Sequence, residues 1–372
     1  MIEGMRATDG TDFEPIPRLK VPGERLVLGV LGASRIVPLA LRAAWGDEFP
    51  VHVRALAARA ASRAQAMARD LNIELSYGSY EALLADPTLD AVYVALPCSE
   101  HARYCLLALQ AGKHVLCEKP FAMSSSQASE VLASARTHRR LVMEALHWKY
   151  HALLPEVARL IAQLGPLSML DATFNAGLNR DGDIRKNPSL GAGVTMDFGC
   201  YALSWVSWAA SCAQAASAAS YPTVQVQKVQ MVEETAGVDV ALRAQLSVDG
   251  VSTVIACDMR DQTPFVAHLT VEGRYGRVHF DNPLVVHGSS VSFEPNRLGA
   301  QRGLHPEHVV PHSQLTTYAA QLLAFVQALR DGRPPVTAGD QILQNQRLLD
   351  EMYVVAGLES RLALQERQRS ND

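Results

Sequence analysis

Nothing in this 372-residue chain has the spacing of a metal centre or a disulfide scaffold. Its six cysteines, Cys98, Cys105, Cys117, Cys200, Cys212 and Cys257, form no CxxC pair and no Cys/His ligand set. They read as reduced, mostly buried thiols of a cytoplasmic protein, with no metal expected. Charge is nearly balanced: 34 Lys and Arg against 38 Asp and Glu give a net charge of −4, with no basic stripe for nucleic acid. No apolar run is built to span a membrane. The longest uncharged stretch, Tyr201 to Val226, is diluted by Ala and Ser and reads as a buried helix followed by a loop. The first twenty residues carry Glu3, Asp9, Asp12 and Glu14 and lack the apolar core of a signal peptide. Repeats and low-complexity segments are missing too.

What is present is an ordinary globular composition, 48% hydrophobic and 19% charged, on a chain long enough for about two domains. Residues 1–24, with Pro15, Pro17 and Pro22, read as a poorly ordered arm. From Arg25 the chain alternates. Strands are expected at Arg25–Val30, Val51–Ala58, Asp90–Leu96, His114–Cys117 and Leu141–Glu144, the last as the sixth of six strands. Helices are expected through Leu39, Leu41 and Ala44, then at Ser62–Leu71, Tyr80–Leu84, Ala102–Ala111 and Ser124–Ala135. The near-continuous apolar strands, such as Asp90–Leu96, are those of a sheet covered on both faces. This is the doubly wound α/β plan of a dinucleotide-binding Rossmann domain, placed at residues 25–146.

Two turns in that domain carry chemistry. Gly29-Val30-Leu31-Gly32-Ala33-Ser34-Arg35-Ile36 joins the first strand to a helix, the context in which backbone N–H groups hold a pyrophosphate. The glycine fingerprint is degraded, since Ser34 and Val37 stand where glycines would, and a plain tight turn fits the same residues. The second turn is Glu118-Lys119-Pro120. Proline lacks an N–H and drives Lys119 out of the α region, so the chain turns at a strand's carboxyl end, where ligands of open parallel sheets gather. A solvated lysine at a strand end is the plainer alternative. At the end of the second strand, where NAD enzymes place a carboxylate for the ribose 2′-OH, stand Ala57, Ala58 and Arg59, with Arg63 beyond. A guanidinium there suits a 2′-phosphate, which favours NADP over NAD. Arg59 also reads as a surface arginine opening a helix.

From residue 147 the alternation stops, and residues 147–372 are read as an α+β domain with a large, mostly antiparallel sheet. Strands are expected at Leu167–Phe174, Val240–Val248, Val251–Cys257, Phe265–Val271, Arg277–Phe280 and Leu284–Phe293, with an Asp249-Gly250 hairpin turn. Thr316–Leu329 and Gln341–Ala356 close the chain as helices. Helices can cover one face of that sheet. The other face suits self-association, as a homodimer or homotetramer. After Gly191-Ala192-Gly193, Asp197 and Tyr201 stand at i and i+4, one turn apart on a common helix face. Asp197 also reads as an N-terminal cap and Tyr201 as core. Trp148, in the cluster His147, Trp148, Lys149 and His151, reads either as a stacking surface for a ligand or as core. Arg180 and Arg185 lie in a polar loop and read as candidate contacts for a small-molecule substrate or as plain surface arginines.

Five segments in order resemble the family of NAD(P)-dependent oxidoreductases that includes glucose-fructose oxidoreductase and inositol dehydrogenase. They are Gly29 to Ile36; Ala95-Leu96-Pro97 with His101; Glu118-Lys119-Pro120; Gly191 to Tyr201; and Asn345, Asp350, Tyr353 and Gly357. Tyr201 and Arg59 fit the branch containing dimeric dihydrodiol dehydrogenase and NADP-dependent aldose dehydrogenases. The resemblance implies that Lys119, Asp197 and Tyr201 are catalytic. It implies that Gly29, Gly32, Ser34, Arg35, Ile36, Arg59, Leu96, Pro97, His101, Glu118 and Pro120 line the cofactor, with a frequently cis bond at Pro120 and Pro97 along the nicotinamide. Trp148, Lys149 and Arg185 are the expected substrate contacts. Cys98 stands where the family has asparagine or threonine, and Val37 where it has alanine or glycine.

Oxidising an alcohol removes a proton as hydride leaves the same carbon. Tyr201, with an ordinary phenol pKa near ~10, needs a neighbouring ammonium such as Lys119 to act as the base, with Asp197 orienting. Three readings remain: an NADP-dependent dehydrogenase or reductase of a sugar, cyclitol or polyol; the same enzyme type on an aromatic dihydrodiol; or a non-catalytic sensor of the same fold. Joint possession of Lys119, Asp197 and Tyr201 argues against the sensor.

Overall fold

The first strand pairs in parallel with two others, and the rest of the first unit is built outward from it. In the computed structural model, the described residues are 25–371 apart from 47, 179–181, 192, 214–220, 236, 314 and 360. The expected N-terminal arm and Arg180 lie outside them. Two compact units divide the chain: one runs to Lys149 and includes Tyr318–Leu343, the other holds Tyr150–Thr317 and the chain from Gln344.

The first unit contains β1 (Leu26–Leu31), α1 (Val37–Ala40), β2 (Val51–Ala57), α2 (Ala61–Asp70), β3 (Leu75–Tyr77), α3 (Tyr80–Leu84), β4 (Ala91–Val94), α4 (Cys98–Gln110), β5 (His114–Cys117), α5 (Ser125–His138) and β6 (Val142–Glu144). The sheet is parallel in the order β3-β2-β1-β4-β5-β6, a doubly wound arrangement whose direction reverses between β1 and β4. Its central strands are fully buried because helices cover both faces: β4 and β5 show no exposed position, and Val92, Val94 and Val115 share a core with Leu83, Leu109 and Leu132. Side-chain caps set two helix starts. Ser79 accepts from the Ala82 N–H at 3.2 Å and Ser124 from the Gln127 N–H at 3.3 Å.

Three expectations change here. The helix after the Gly32 turn is one α turn, Val37–Ala40, followed by a 3-10 turn at Arg42–Trp45, and does not run on through Ala44 as an amphipathic α-helix. The apolar positions do not share a buried face, since Leu39 is 53% exposed while Val37 and Leu41 are covered. Helix α4 starts at Cys98 rather than Ala102, directly behind Pro97. A short half-buried edge strand, β3, supplies the strand that lacks a strong apolar run.

The second unit contains α6 (Leu154–Gln163), β7 (Leu167–Asn175), α7 (Cys200–Ala213), β8 (Val224–Thr235), β9 (Val238–Val248), β10 (Val251–Asp258), β11 (Val266–Gly273), β12 (Gly276–Asp281), β13 (Ser290–Pro295), α8 (Arg297–Gln301) and β14 (Glu307–Val309). These strands form one sheet in the order β14-β13-β12-β11-β7-β10-β9-β8, antiparallel except where β7 meets β10. Alternation gives the sheet two faces. Leu170, Ala172 and Phe174 of β7 and Ala267, Leu269 and Val271 of β11 are buried on one. Helix α7 lies against strands of this sheet and is apolar nearly all round, as a buried helix is. The other face carries Asp171, His268, Thr270 and His279, half-exposed, with His268 Nε2 3.2 Å from Asp171 Oδ1.

The chain then continues through α9 (Thr317–Asp331), α10 (Asp340–Val355) and α11 (Arg361–Asn371). Residues 318–343 belong to the first unit, so a single cut at residue 146 does not describe the chain. Tyr318 stacks on His147 with ring centroids 4.0 Å apart, and the Glu144 N–H donates to the Thr337 carbonyl at 2.9 Å. The strand expected at Leu284–Phe293 is confined to β13, because Asn282 and Gly288 adopt positive φ and break the extended run before it. The loop expected before Val226 stands at residues 221–223 and leads at Val224 into an edge strand, β8, whose side chains are largely exposed; residues 214–220 of that stretch lie outside the described residues.

Candidate active site

In the first unit the candidate residues stand at the carboxyl ends of successive strands. After β1, Gly32 has φ 112° and its N–H donates to the Ala57 carbonyl at 2.9 Å. A Cβ there would run into the Ala95 carbonyl oxygen, so only glycine lets the β1 and β4 turns approach this closely. The Ser34 Oγ is buried without a hydrogen-bond partner. A buried hydroxyl left unmatched beside a glycine turn fits a phosphate oxygen, and this is where a dinucleotide's pyrophosphate would be held. Ile36 precedes α1, and Arg35 is exposed in the same turn. Gly29 is a different case. It lies inside β1, where a Cβ would come within 2.7 Å of Leu89 and 2.8 Å of Leu83, so it makes room for neighbouring side chains and does not face the turn's ligand side.

At the end of β2, Arg59 is exposed, and the Arg63 guanidinium donates to the Ala33 carbonyl at 3.1 Å. Arg63 therefore reaches the glycine turn, a contact for which the sequence offered only proximity. No carboxylate stands between Ala57 and Ala60.

His101 of α4 ties two turns together. It is 1% exposed, with Nδ1 2.9 Å from the Pro120 carbonyl and Nε2 2.8 Å from the Leu96 carbonyl. Burial pushes its pKa down while the two carbonyls oppose that shift. The Cys98 thiol donates to the same Pro120 carbonyl at 3.5 Å, so the residue that departs from the family pattern braces the turn. The Lys119–Pro120 peptide is cis. Glu118 accepts from the Tyr93 hydroxyl at 2.5 Å through Oε1 and from the Lys119 N–H at 3.3 Å through Oε2.

Glu144, the last residue of β6, was not among the residues expected at the site. It is 3% exposed, and its Oε1 accepts from the Phe121 N–H at 3.0 Å. Burial raises its pKa to about 8; Glu118 pushes the same way, while the Phe121 N–H, Lys119 and Lys149 oppose the shift. The signal in the sequence was a lone acid inside the apolar run Leu141-Val142-Met143-Glu144-Ala145-Leu146. Trp148 is fully buried with Lys149 Nζ 4.8 Å from its ring centroid. It fills the core and does not offer an open face to a sugar; Lys149 is buried to 7% exposure.

In the second unit, one turn of π-helix at Thr195–Gly199 precedes α7. The wider turn breaks the α-helical register between Asp197 and Tyr201, so the i, i+4 spacing no longer means one α turn on a shared face. Such π turns recur at functional sites. Arg185 grips Asp183 through two bonds, Nε to Oδ1 at 2.9 Å and Nη2 to Oδ2 at 3.0 Å, and extends Nη1 to Asp197 Oδ2 at 3.4 Å. Its guanidinium is committed to these two carboxylates, so the structure ties Arg185 to Asp197. Tyr201 is 4% exposed, edge-on to Phe174 at 5.8 Å and tilted against Trp205 at 6.2 Å. This wall fixes its ring.

The π turn is anchored from below. Asp239 of β9, with no exposed surface, accepts from the Thr195 N–H at 2.8 Å and from the Tyr353 hydroxyl at 3.1 Å. The Arg361 guanidinium pairs with the same carboxylate, and Gly193 lies against it where a Cβ would clash. Tyr353 of the C-terminal motif thus supports the segment that carries Asp197. Among the described residues no cluster of His, Cys, Asp or Glu could hold a metal ion, and no helix is long and apolar enough to cross a membrane.

Comparison with known proteins agrees with this architecture. Residues 26–146 match the family described as "Oxidoreductase family, NAD-binding Rossmann fold". The chain is 30% identical over 334 residues to D-xylose 1-dehydrogenase (NADP(+)) 2 of Haloferax volcanii, spanning 88% of this chain and 96% of that protein. It is 36% identical over 161 residues to a trans-1,2-dihydrobenzene-1,2-diol dehydrogenase of Xenopus tropicalis, 41% of this chain and 47% of that one. Among solved structures, a 3-ketoreductase from Actinomadura kijaniata in complex with NADP and TDP-benzene matches with a TM-score of 0.77 and 26% identity, over 89% of this chain and 98% of that one. The chain belongs to the glucose-fructose oxidoreductase/inositol dehydrogenase (Gfo/Idh/MocA) family and is an NAD(P)-dependent dehydrogenase or reductase.

Proposed function

We propose that the protein interconverts a CH–OH group and a carbonyl on a sugar, cyclitol or related polyol, with NADP(H) preferred over NAD(H). The observation that carries this reading is Lys119 at the carboxyl end of β5, in the same row of loops as the Gly32 turn and Pro97. The bound nicotinamide supplies the site that accepts or returns hydride. In this reading Tyr201 takes the hydroxyl proton as hydride leaves and gives it back in the reverse direction. The Lys119 ammonium favours the tyrosinate, and Asp197, held by Arg185, orients the partners. Gly32, Ser34 and Ile36 hold the pyrophosphate. Leu96, Pro97, His101, Glu118 and Pro120 shape the nicotinamide side, and Arg59 with Arg63 receives the 2′-phosphate.

The similarity to a NADP-dependent xylose dehydrogenase supports both the substrate class and the cofactor. The match to dihydrodiol dehydrogenases supports a second reading, in which the same machinery oxidises a non-sugar diol. A panel of aldoses, cyclitols and dihydrodiols, followed by NADPH absorbance, separates the two. Lys119→Ala should lower kcat by about 10²–10⁴-fold with NADP binding nearly intact; undiminished kcat rejects the mechanism. Arg59→Ala should raise KM for NADP roughly tenfold and leave KM for NAD nearly unchanged. Equal effects on both cofactors reject the 2′-phosphate assignment. Self-association through the half-exposed face of the second sheet, as homodimer or homotetramer, belongs to the same reading and is checked by light scattering.

A further inference from the structure

We propose that Glu144 is a positioning residue for the reaction: its buried carboxyl, held beneath the Lys119–Pro120 turn, sets the charge on Lys119 and with it the alkaline limit of activity. The inference rests on the catalytic role proposed above for Lys119.

Geometry places the carboxyl there. Glu144 ends β6 opposite Cys117 of β5, so its side chain lies under the residues that follow Cys117. Its Oε1 accepts from the Phe121 N–H at 3.0 Å, and its own N–H is fixed to the Thr337 carbonyl at 2.9 Å. With 3% exposure, water has almost no access to it. Among the described residues, the charges that act on it are Glu118 and Lys119 from the end of β5 and Lys149 from the turn after β6. Glu118 is already engaged by the Tyr93 hydroxyl at 2.5 Å.

The charge on this cluster therefore depends on one buried proton. Burial raises the carboxyl's pKa to about 8. Below that pH Glu144 is a neutral acid and adds no charge of its own beside Lys119 and Lys149. Above it, Glu144 becomes an anion beside the Lys119 and Lys149 ammonium groups. The added negative charge keeps Lys119 an ammonium, the form that favours the Tyr201 phenolate. The two groups titrate as a pair, each shifting the other.

Glu144→Gln keeps the size and the acceptor for the Phe121 N–H and removes the ionisation. In that variant the alkaline limb of the kcat/KM profile should move down by about one pH unit, with the loss confined to the alkaline side. NMR of lysines labelled at Cε, with Lys119 assigned through Lys119→Ala, should show its titration midpoint falling by the same amount. A role limited to holding the turn would lower activity evenly across pH and leave the Lys119 midpoint in place, and an unchanged midpoint overturns the inference. The wild-type protein gives a second test that needs no variant. A glutamate carboxyl should titrate near 8, and the Lys119 signal should inflect at that pH; absence of the inflection also overturns it. Full turnover in Lys119→Ala would reject the functional reading instead, and the Lys119 midpoint would still judge the charge coupling.

Discussion

Glu144 in the first unit and Asp239 in the second are buried to similar depth, 3% and 0% exposed, and each sits under a segment that carries a catalytic candidate. Their partners differ. Asp239 has a guanidinium, a phenol and a backbone N–H around its oxygens, all donors. A charge met by a full set of charge-assisted bonds stays charged and acts as an anchor. Glu144 has one backbone N–H as its hydrogen-bond donor; Lys119 and Lys149 act on it only through their charge, against burial and the Glu118 carboxylate. A carboxyl matched this poorly takes up a proton near neutral pH and becomes a titratable part of the site. Burial alone therefore does not decide whether an acid is scaffold or switch; the donors around it do.

The contrast can be broken from either side. Arg361→Met leaves Asp239 as an uncompensated buried charge and should cost about 3–5 kcal/mol in denaturant unfolding. The double variant Asp239→Asn/Arg361→Met should cost less than Arg361→Met alone. A larger cost in the double variant would mean the pair is not the anchor. Tyr353→Phe removes one donor to the same carboxylate and should cost about 1.5–3 kcal/mol. Burial lowers Arg361 to about 10, so both penalties should stay level between pH 6 and 8.

Glu144 should behave in the opposite way. Its folded pKa is raised from 4.5 to about 8, so between those values the folded protein holds a proton that the unfolded chain has lost. Its contribution to stability is complete below the lower value and disappears as pH rises to the upper one. The stability difference between wild type and Glu144→Gln should therefore tilt by about 1.4 kcal/mol per pH unit across that window, against the wild type as pH rises. A flat difference would place Glu144 in the same class as Asp239. His114 gives an opposite slope at lower pH. Burial and Arg140 depress it to about 3, so its stabilising contribution is lost as pH falls below its ordinary range, in both proteins alike, and it cancels from their difference.

How much was legible in the sequence follows the same physical line. Strands β1, β2, β4, β5 and β6 were readable because a parallel sheet covered on both faces demands unbroken apolar runs such as Ala91–Val94. The Gly32 turn and the Lys119–Pro120 turn were readable because glycine and proline act locally. The edge strands β3 and β8 were not, since their half-exposed residues carry little apolar signal. Helix α6 was missed although Leu154, Val157, Leu160 and Ile161 mark its buried stripe. At the candidate site, short motifs singled out Lys119, His101 and Pro97; the structure puts Pro97 and Lys119 at the carboxyl ends of β4 and β5, and His101 of α4 bonds to the Leu96 and Pro120 carbonyls. Of the residues read as substrate contacts, Arg185 grips Asp183 and Asp197, and Trp148 is buried in the core, the alternative its sequence context also offered.

Local rules acting within a few residues were enough to fix the two classes of fold, the dinucleotide turn without a carboxylate at the end of β2, and the order of the motifs. Tertiary structure alone decided the pairing of Arg361 with Asp239 across 122 positions, the return of residues 318–343 to the first unit, and the Phe121 N–H as the donor that Glu144 receives. A hydrogen bond or a buried charge is satisfied by whatever the fold brings near, and distance along the chain carries no record of that.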